Sequence, residues 1–227
     1  MWNIIERGGY VMYPLLAASA VALAIVIERA LFWIIVSLRT RLGDVEEVLD
    51  VAADFPVKAE QLAHAGTRSP IMRVLSAGLE HRTSGYREAL EMSAEREISL
   101  MRRGHMVLDT IVTLAPLLGI LGTVVGIIQS FELLGEATIN DPRGVSSGIA
   151  EALITTAAGL AIAIGTLIPF NYFSARVEKY AHVIEQAATR LEIALIRWCR
   201  KEGIDVMDAR EQLADGRPRK DASAGEL

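Results

Sequence analysis

Three polar residues, Thr123, Glu151 and Thr156, lie in or beside long apolar segments of this 227-residue chain. A carboxylate takes up and releases protons, and a hydroxyl group can order a path along which a proton moves. An ionisable side chain inside a membrane segment costs about 2.5–3.5 kcal/mol at the bilayer centre, so it usually faces a protein interior or a water-filled path. These residue types therefore indicate a polar site that faces a protein interior or a water-filled path.

Each residue also has a purely structural interpretation. The Glu151 carboxylate could reach the outer headgroups or stabilise a helix N-terminus. The Thr123 hydroxyl could bond a carbonyl one turn earlier in its own helix. Glu151 and Thr156 are five positions apart in the sequence, which places them about 140° apart around an ideal helix. Both would face one pore only by touching different neighbours.

The depths of the two threonines favour a shared site. Thr123 lies eight residues before Phe131, near the end of its apolar segment. Thr156 lies eight residues after Gly148, near the start of the next one. On antiparallel helices, both would lie about 12 Å from the outer membrane boundary. A functional interpretation of the pair follows from this equal depth.

Small residues near the threonines predict close helix packing. Gly122 and Gly126 form a small-xxx-small pair, and Gly119 adds a third gap. Gly159 lies in a small-residue face of the next segment. Such gaps let two backbones approach where lipid gives no hydrophobic drive for association. Pro116 removes one backbone donor and is expected to bend its helix.

The elements that carry these residues are membrane helices. The chain is 52% hydrophobic, and residues 8–27, 110–131 and 152–175 contain no charge. About 20 apolar residues suffice to cross a bilayer as a helix. We predict an all-α membrane protein with three transmembrane helices, the second and third extended into a cytoplasmic helical bundle.

The predicted organisation has seven parts. The expected parts are a periplasmic N-terminus (1–10), a first membrane helix (11–38), a cytoplasmic helical loop (39–85), a long helix with the second span (86–134), a periplasmic loop (135–147), a long helix with the third span (148–202) and a disordered cytoplasmic tail (203–227).

The first apolar segment has the small residues of a cleavable secretory signal. The apolar pattern resumes after Glu28 and Arg29, however, which favours one long helix. Adjacent residues on a helix do not face each other. We therefore expect solvent or neighbouring chains, rather than a mutual salt bridge, to satisfy this pair.

Arginine and lysine residues set the predicted orientation, because positive residues stay on the cytoplasmic side. One set of flanks carries nine of them, and the other set carries only Arg7 and Arg143. The nine are Arg29, Arg39, Arg41, Arg96, Arg102, Arg103, Arg176, Lys179 and Arg190. We predict a periplasmic N-terminus and a cytoplasmic C-terminus.

The extramembrane segments carry two helix signals. Ser69 followed by Pro70 predicts a helix start, with Ser69 as N-cap. An apolar stripe follows the third span, and it could pack on the chain's own helices or form an intermolecular coiled coil. The first alternative is favoured. The stripe consists of Val177, Tyr180, Ile184, Ala187, Leu191, Ala194 and Trp198.

Several function classes lack their sequence features. The net charge of −5 and the absence of a basic stripe argue against nucleic acid. The histidines and Cys199 have no metal-ligand spacing, and no phosphate-binding loop or cofactor motif is present. Gly144 to Gly148 matches G-x-S-x-G, which requires a strand before it and a nearby histidine. We treat that match as chance and expect Ser146 or Ser147 to cap the third helix.

A resemblance to a known family rests on the segments 114–126 and 151–164, together with Gly8-Gly9, Met12, Pro14 and Ile27-Glu28-Arg29. In these segments the chain resembles the MotA/TolQ/ExbB proton-channel family. The resemblance is strongest to the ExbB branch, since the flagellar branch typically has four spans. It implies that Thr123, Glu151 and Thr156 are polar channel positions. It also implies a non-enzymatic, cofactor-free, lipid-embedded inner-membrane protein.

The same resemblance implies partners. A homopentamer would enclose the single-span helices of an ExbD-like dimer, whose aspartate carries the proton. Output would pass to a TonB-like protein that energises outer-membrane transport. A TolQ-like role in envelope maintenance is the alternative, and a purely structural membrane scaffold and an intramembrane serine hydrolase using Ser146 are the rivals from other classes.

Overall fold

A computed structural model describes residues 10–82, 85–136 and 142–202 of the chain. These ranges form helices, and no strand occurs within them. The helices, in chain order, are α1 (Met12–Arg39), α2 (Leu42–Ala52), α3 (Pro56–Ala65), α4 (Pro70–Glu80), α5 (Tyr86–Met101), α6 (His105–Glu136) and α7 (Pro142–Lys201). The predictions for residues 1–9 and for the tail 203–227 lie outside the described residues.

Three helical stretches are long and apolar enough to cross a membrane, namely Met12–Arg39, Tyr86–Phe131 and Gly148–Lys201. Most of their large apolar side chains are exposed rather than packed inside the chain. This is the pattern of helices that face lipid or neighbouring chains. The predicted fold class, all-α with three transmembrane helices, is confirmed, while the cytoplasmic side of the bundle stays a prediction.

The chain divides into two compact units. The first contains Met1–Leu31 and Arg103–Ala175, and the second contains Phe32–Arg102 and Arg176–Leu227. The first unit therefore holds α6, most of α1 and the first part of α7. Its buried positions hold both large side chains, such as Leu15 and Leu108, and small ones, such as Ala115, Ala152 and Ala163.

The second unit has the larger apolar core. Within it α3 packs on both α2 and α4, and α4 packs on α5. Its fully buried side chains include Leu75, Leu79, Leu191 and Leu195. A bidentate ion pair joins Arg73 to the buried Glu97, with N–O distances of 2.8 and 2.5 Å. Pairing satisfies a charge whose isolated burial would be costly.

The apolar stripe of α7 packs within the second unit. Val177, Ile184, Ala187, Leu191 and Ala194 are all buried in the single chain. The Tyr86 hydroxyl donates a hydrogen bond to the Ala188 carbonyl, at 3.3 Å. The favoured alternative, packing on the chain's own helices, is confirmed.

The helix predicted over 86–134 is interrupted. Helix α5 ends at Met101 and α6 begins at His105. Between them, Gly104 has a φ of +81°, in the left-handed region that costs other residues about 1–2 kcal/mol. A Cβ at Gly104 would also lie 2.8 Å from Ile25 Cγ2. A glycine is required there, and the regular helix stops.

Helix α7 begins earlier than the predicted residue 148. Its first residue is Pro142, whose fixed φ suits the first helical position and whose missing N–H costs nothing there. Ser146 and Ser147 therefore lie inside the helix, and the expectation that one of them is the N-cap was wrong. Residues 137–141, the core of the predicted periplasmic loop, lie outside the described residues.

One smaller expectation is wrong, and another is confirmed in position. Arg29 does form a salt bridge with its neighbour Glu28, through contacts of 2.8 and 2.5 Å, because the long arginine side chain can fold back along the helix. Ser69 is the N-cap of α4, but its hydroxyl makes no capping bond. It lies instead 3.3 Å from Thr40 Oγ1.

Candidate functional site

Glycine residues allow α6 and α7 to meet with their backbones almost in contact. A Cβ at Gly119 would lie 3.0 Å from Thr156 Cα, and one at Gly122 would lie 2.4 Å from Thr155 Cγ2. From the other helix, a Cβ at Gly159 would lie 2.4 Å from the Ala115 carbonyl oxygen. An added Cβ at Gly159 would push the facing backbone away, one at Gly122 would displace the Thr155 side chain, and one at Gly119 would require a shift of a few tenths of an ångström.

The same contact continues toward the other end of the pair. A Cβ at Gly126 would lie 3.0 Å from Ala152 Cβ, and one at Gly148 would lie 2.0 Å from Ser130 Oγ. Contact partners thus move forward along α7 as they move backward along α6, as antiparallel helices require. We call this contact, from Ala115–Gly159 to Ser130–Gly148, the glycine seam.

The seam brings Thr123 and Thr156 together. Their hydroxyl oxygens are 3.0 Å apart, within hydrogen-bond distance. The Thr156 hydroxyl also lies 2.8 Å from the Gly119 carbonyl oxygen of the facing helix. The Thr123 hydroxyl lies 2.7 Å from the Ile120 carbonyl oxygen and 3.3 Å from that of Gly119. Thr123 therefore contacts both its own helix and the facing helix, so both interpretations of its hydroxyl hold.

The two hydroxyl groups can form their hydrogen bonds in two alternative arrangements. Each hydroxyl has one proton to donate and two lone pairs to accept. Thr123 can donate to Thr156, which then donates to the Gly119 carbonyl. Alternatively, Thr156 donates to Thr123, which then donates to the Ile120 carbonyl. In both arrangements the two oxygens together keep three unused lone pairs, so the half-buried pair can accept a hydrogen bond from an outside acid or water.

The seam contains two polar residues that sequence analysis missed. Thr155 is buried, at 1% exposure, and its side chain fills the gap at Gly122. Ser130 is equally buried, and its hydroxyl donates to the Gly126 carbonyl at 2.7 Å. The sequence signal for these two residues was the spacing of small residues on two antiparallel helices. Each glycine, Gly122 and Gly148, needs a residue opposite it on the facing helix, and the pairing of the two helices determines which residue that is.

The other predicted positions are less completely defined. Glu151 belongs to α7, immediately before the seam residue Ala152, but its side chain lies outside the described part of the structure. Pro116 lies inside α6, one turn before Ile120. A proline there leaves the Val112 carbonyl without its helical donor, and the predicted bend stays a prediction.

Two other chemistries find no support in the described residues. No group of three or more histidine, cysteine or acidic side chains is placed to hold a metal within residues 10–82, 85–136 and 142–202. The G-x-S-x-G match falls inside α7, whose backbone is helical from Pro142. The sharp strand-to-helix turn that exposes a hydrolase nucleophile is therefore not formed at Ser146.

Comparison with known proteins gives a consistent family. The sequence profile of the MotA/TolQ/ExbB proton channel family matches residues 66–186, a range that contains both threonines and Glu151. The chain belongs to the MotA/TolQ/ExbB proton channel family. Within this family it is an ExbB-like subunit of the proton-channel type, as its sequence resemblance implied.

Individual relatives support the ExbB assignment. Two ExbB-like biopolymer transport proteins of Synechocystis are 42% and 36% identical to the chain, over 171 and 197 residues. These alignments cover 73% and 84% of the chain and 67% and 93% of the relatives. Biopolymer transport protein ExbB of Salmonella typhimurium is 30% identical over 195 residues, covering 80% of the chain and 78% of that protein.

Proposed function

We propose that this chain is the scaffold subunit of an inner-membrane proton-driven motor. With an ExbD-like single-span partner it couples the proton motive force to a TonB-like protein that energises outer-membrane transport. In this proposal the chain is a homopentamer and performs no covalent catalysis. The Thr123–Thr156 hydroxyl pair, 3.0 Å apart inside a membrane-spanning helix pair, is the observation that carries it.

The pair can relay a proton but cannot supply one. A threonine hydroxyl does not ionise at physiological pH, so a relay through it needs an exchangeable acid close by. Between Thr110 and Ala175, the only aspartate is Asp141, outside the apolar segments, and Glu151 directly precedes the third apolar segment. The acid nearest the membrane centre is therefore expected on the partner's helix.

A partner's carboxyl group fits the hydrogen bonding of the pair. When protonated, the carboxyl is a donor, and it can bond one of the unused hydroxyl lone pairs. When ionised, it is only an acceptor, so it attracts the hydroxyl protons and favours the other arrangement. One proton crossing releases roughly 2.3 kcal/mol per 100 mV. That energy would bias a two-state contact between the partner and the α6–α7 pair.

Proton flux into liposomes tests this division of labour. The purified chain is reconstituted with and without the ExbD-like partner, and internal pH is followed under an imposed gradient. We expect no flux above empty liposomes from the chain alone and clear flux with the partner. Robust, Glu151-dependent flux from the chain alone would show that the acid is not the partner's.

A TolQ-like role in envelope maintenance is the alternative, because the same family includes TolQ. Deleting the chain separates the two roles. Loss of energy-dependent uptake through outer-membrane receptors with normal division supports the ExbB-like role. Detergent sensitivity and delayed envelope constriction with normal uptake support the TolQ-like role. A neighbouring reading frame for a TonB-like protein would favour the first.

A further inference from the structure

An open cavity of about 330 Å³ lies in the second unit, beside the end of α1. Its lining includes the guanidinium-bearing residues Arg39, Arg41 and Arg68, together with a single acidic residue, Asp44. Among the residues that the structure describes, none of the three arginines is in a salt bridge, in contrast to Arg73 and Arg82. The cavity therefore carries an uncompensated positive charge.

The backbone around the cavity adds to this charge. Arg41 is the N-cap of α2 and Ser69 is the N-cap of α4, and neither side chain makes a capping hydrogen bond. Both residues line the cavity. A helix N-terminus carries a partial positive charge from its unpaired N–H groups. Two helix starts and three arginines thus converge on one space.

The cavity is held in shape by buried contacts. The Ser69 side chain is buried and lies 3.3 Å from Thr40 Oγ1, which connects the end of α1 to the start of α4. Met72, also buried, lines the cavity and packs against Gly66. Arg39 is the last residue of α1, and Arg41 and Arg68 lie in the short connections whose neighbouring residues make these contacts. Fixing the connections lowers the entropic cost of binding.

The ligand class follows from charge and position. Arginine binds phosphate bidentately, and its planar group is suited to this geometry. The cavity also includes Leu38, which is 77% exposed and lies in the last turn of the membrane-spanning helix α1. The same end of α1 also exposes Ile34 and Ile35. An exposed apolar surface beside three arginines suits an amphiphilic anion whose acyl chains contact these side chains and whose phosphate enters the cavity.

We propose that this cavity binds the phosphate group of an anionic ligand at the membrane surface, with an anionic phospholipid such as phosphatidylglycerol as the expected source. The Arg39, Arg41 and Arg68 guanidinium groups hold the phosphate, and the two helix starts add to the positive field. Asp44 disfavours ligands with several negative charges crowded on that side. Binding of the lipid would fix the end of α1 relative to α4 within the second unit.

Lipid retention by the purified full chain tests the proposal. The delipidated protein is incubated with equal amounts of phosphatidylglycerol and phosphatidylcholine, and retained lipid is counted by native mass spectrometry. We expect a preference for phosphatidylglycerol. Replacing the three arginines together by glutamine should lower its retention by about tenfold or more, because charge-assisted contacts are lost. Arg87→Gln is the matched control, since Arg87 is an exposed arginine of α5 and should leave retention unchanged.

A steric variant makes the test independent of charge. Ala65 lines the cavity and is exposed, so Ala65→Trp should occupy the space and lower retention without removing an arginine. Binding of labelled inorganic phosphate to the delipidated protein distinguishes the two sources of phosphate. If phosphate does not bind at a concentration at which phosphatidylglycerol is retained, the acyl chains are needed and the ligand is a phospholipid. If phosphate binds at that concentration, the site takes a soluble phosphate, and the phospholipid assignment is overturned. Equal retention by the wild type, the triple variant and Ala65→Trp would overturn the proposal.

Discussion

The hydroxyls of Thr156 and Thr166, both on α7, differ in what they contact. Thr166 donates to the Ile162 carbonyl of its own helix, at 2.8 Å, as threonines commonly do in helices. Thr156 instead contacts the facing helix, through the Gly119 carbonyl and the Thr123 hydroxyl. Removing each hydroxyl therefore tests different interactions with the same chemical change.

Thr156→Val is expected to stop energy-dependent uptake while leaving the complex assembled. Valine is nearly isosteric with threonine, and one lost hydrogen bond lowers stability by only about 0.5–1.5 kcal/mol. Uptake of a labelled receptor ligand measures function, and co-purification with the ExbD-like partner measures assembly.

Two variants serve as controls for that experiment. Thr166→Val makes the same change on the same helix and should retain uptake, because its hydroxyl serves only its own helix. Thr156→Ser keeps the hydroxyl and should retain most of the uptake. Normal uptake in Thr156→Val would instead assign Thr156 to packing alone.

At the scale of elements, the close contact of α6 and α7 depends on glycines, which carry a hydrogen atom where other residues carry Cβ. Gly159 faces a backbone oxygen at 2.4 Å from its ideal Cβ position, whereas an added Cβ at Gly165 would meet nothing within 4 Å. A backbone atom cannot rotate away as a flexible side chain can. We therefore expect α7 to tolerate substitution by alanine at Gly165 but not at Gly159.

Gly159→Ala is expected to destabilise the chain by about 1–3 kcal/mol, the usual cost of overpacking a close contact. Gly165→Ala should leave stability unchanged or slightly raised, because alanine is the better helix former. Thermal unfolding in detergent, followed by circular dichroism, measures both. Equal melting temperatures for the two variants would show that the seam relaxes without cost.

Sequence patterns predicted the membrane helices and the threonine pair better than the helix ends. The length of an apolar segment identifies a membrane span, because lipid offers unpaired backbone groups no hydrogen-bond partner and a helix pairs them internally. Two residues at equal depth on neighbouring antiparallel helices lie side by side, which is why the threonine pair could be predicted. The break at Gly104 depends on a positive φ and on Ile25 from another helix. The Thr155–Gly122 contact depends on helix rotation, which spacing in one helix does not determine.

At the scale of the whole molecule, orientation across the membrane sets the direction of any proton path. The prediction of a cytoplasmic 39–85 segment rests on the distribution of arginine and lysine residues. Lys58 lies in that segment and is exposed on α3, whereas the neighbouring Ala59 is fully buried. A labelling probe is therefore better placed at 58 than at 59.

In a variant whose native Cys199 is replaced by serine, Ala137→Cys should react with an impermeant thiol reagent from outside the inner membrane. Lys58→Cys should react only after the membrane is opened, because we expect it inside. Mass spectrometry of the labelled protein measures both, and labelling of opened membranes controls for access. The reverse pattern would invert the proposed orientation.

The acceptor at the centre of the threonine pair, the Gly119 oxygen, belongs to the main chain. Side-chain exchange cannot delete it, since every amino acid carries the same carbonyl. A genetic screen of this region should therefore recover loss-of-function changes in three classes: the two hydroxyl-bearing residues, the glycines of the seam through steric displacement, and helix-breaking prolines nearby. Conservative exchanges among the exposed apolar residues of α6, such as Ile120→Leu or Val124→Ile, should be silent.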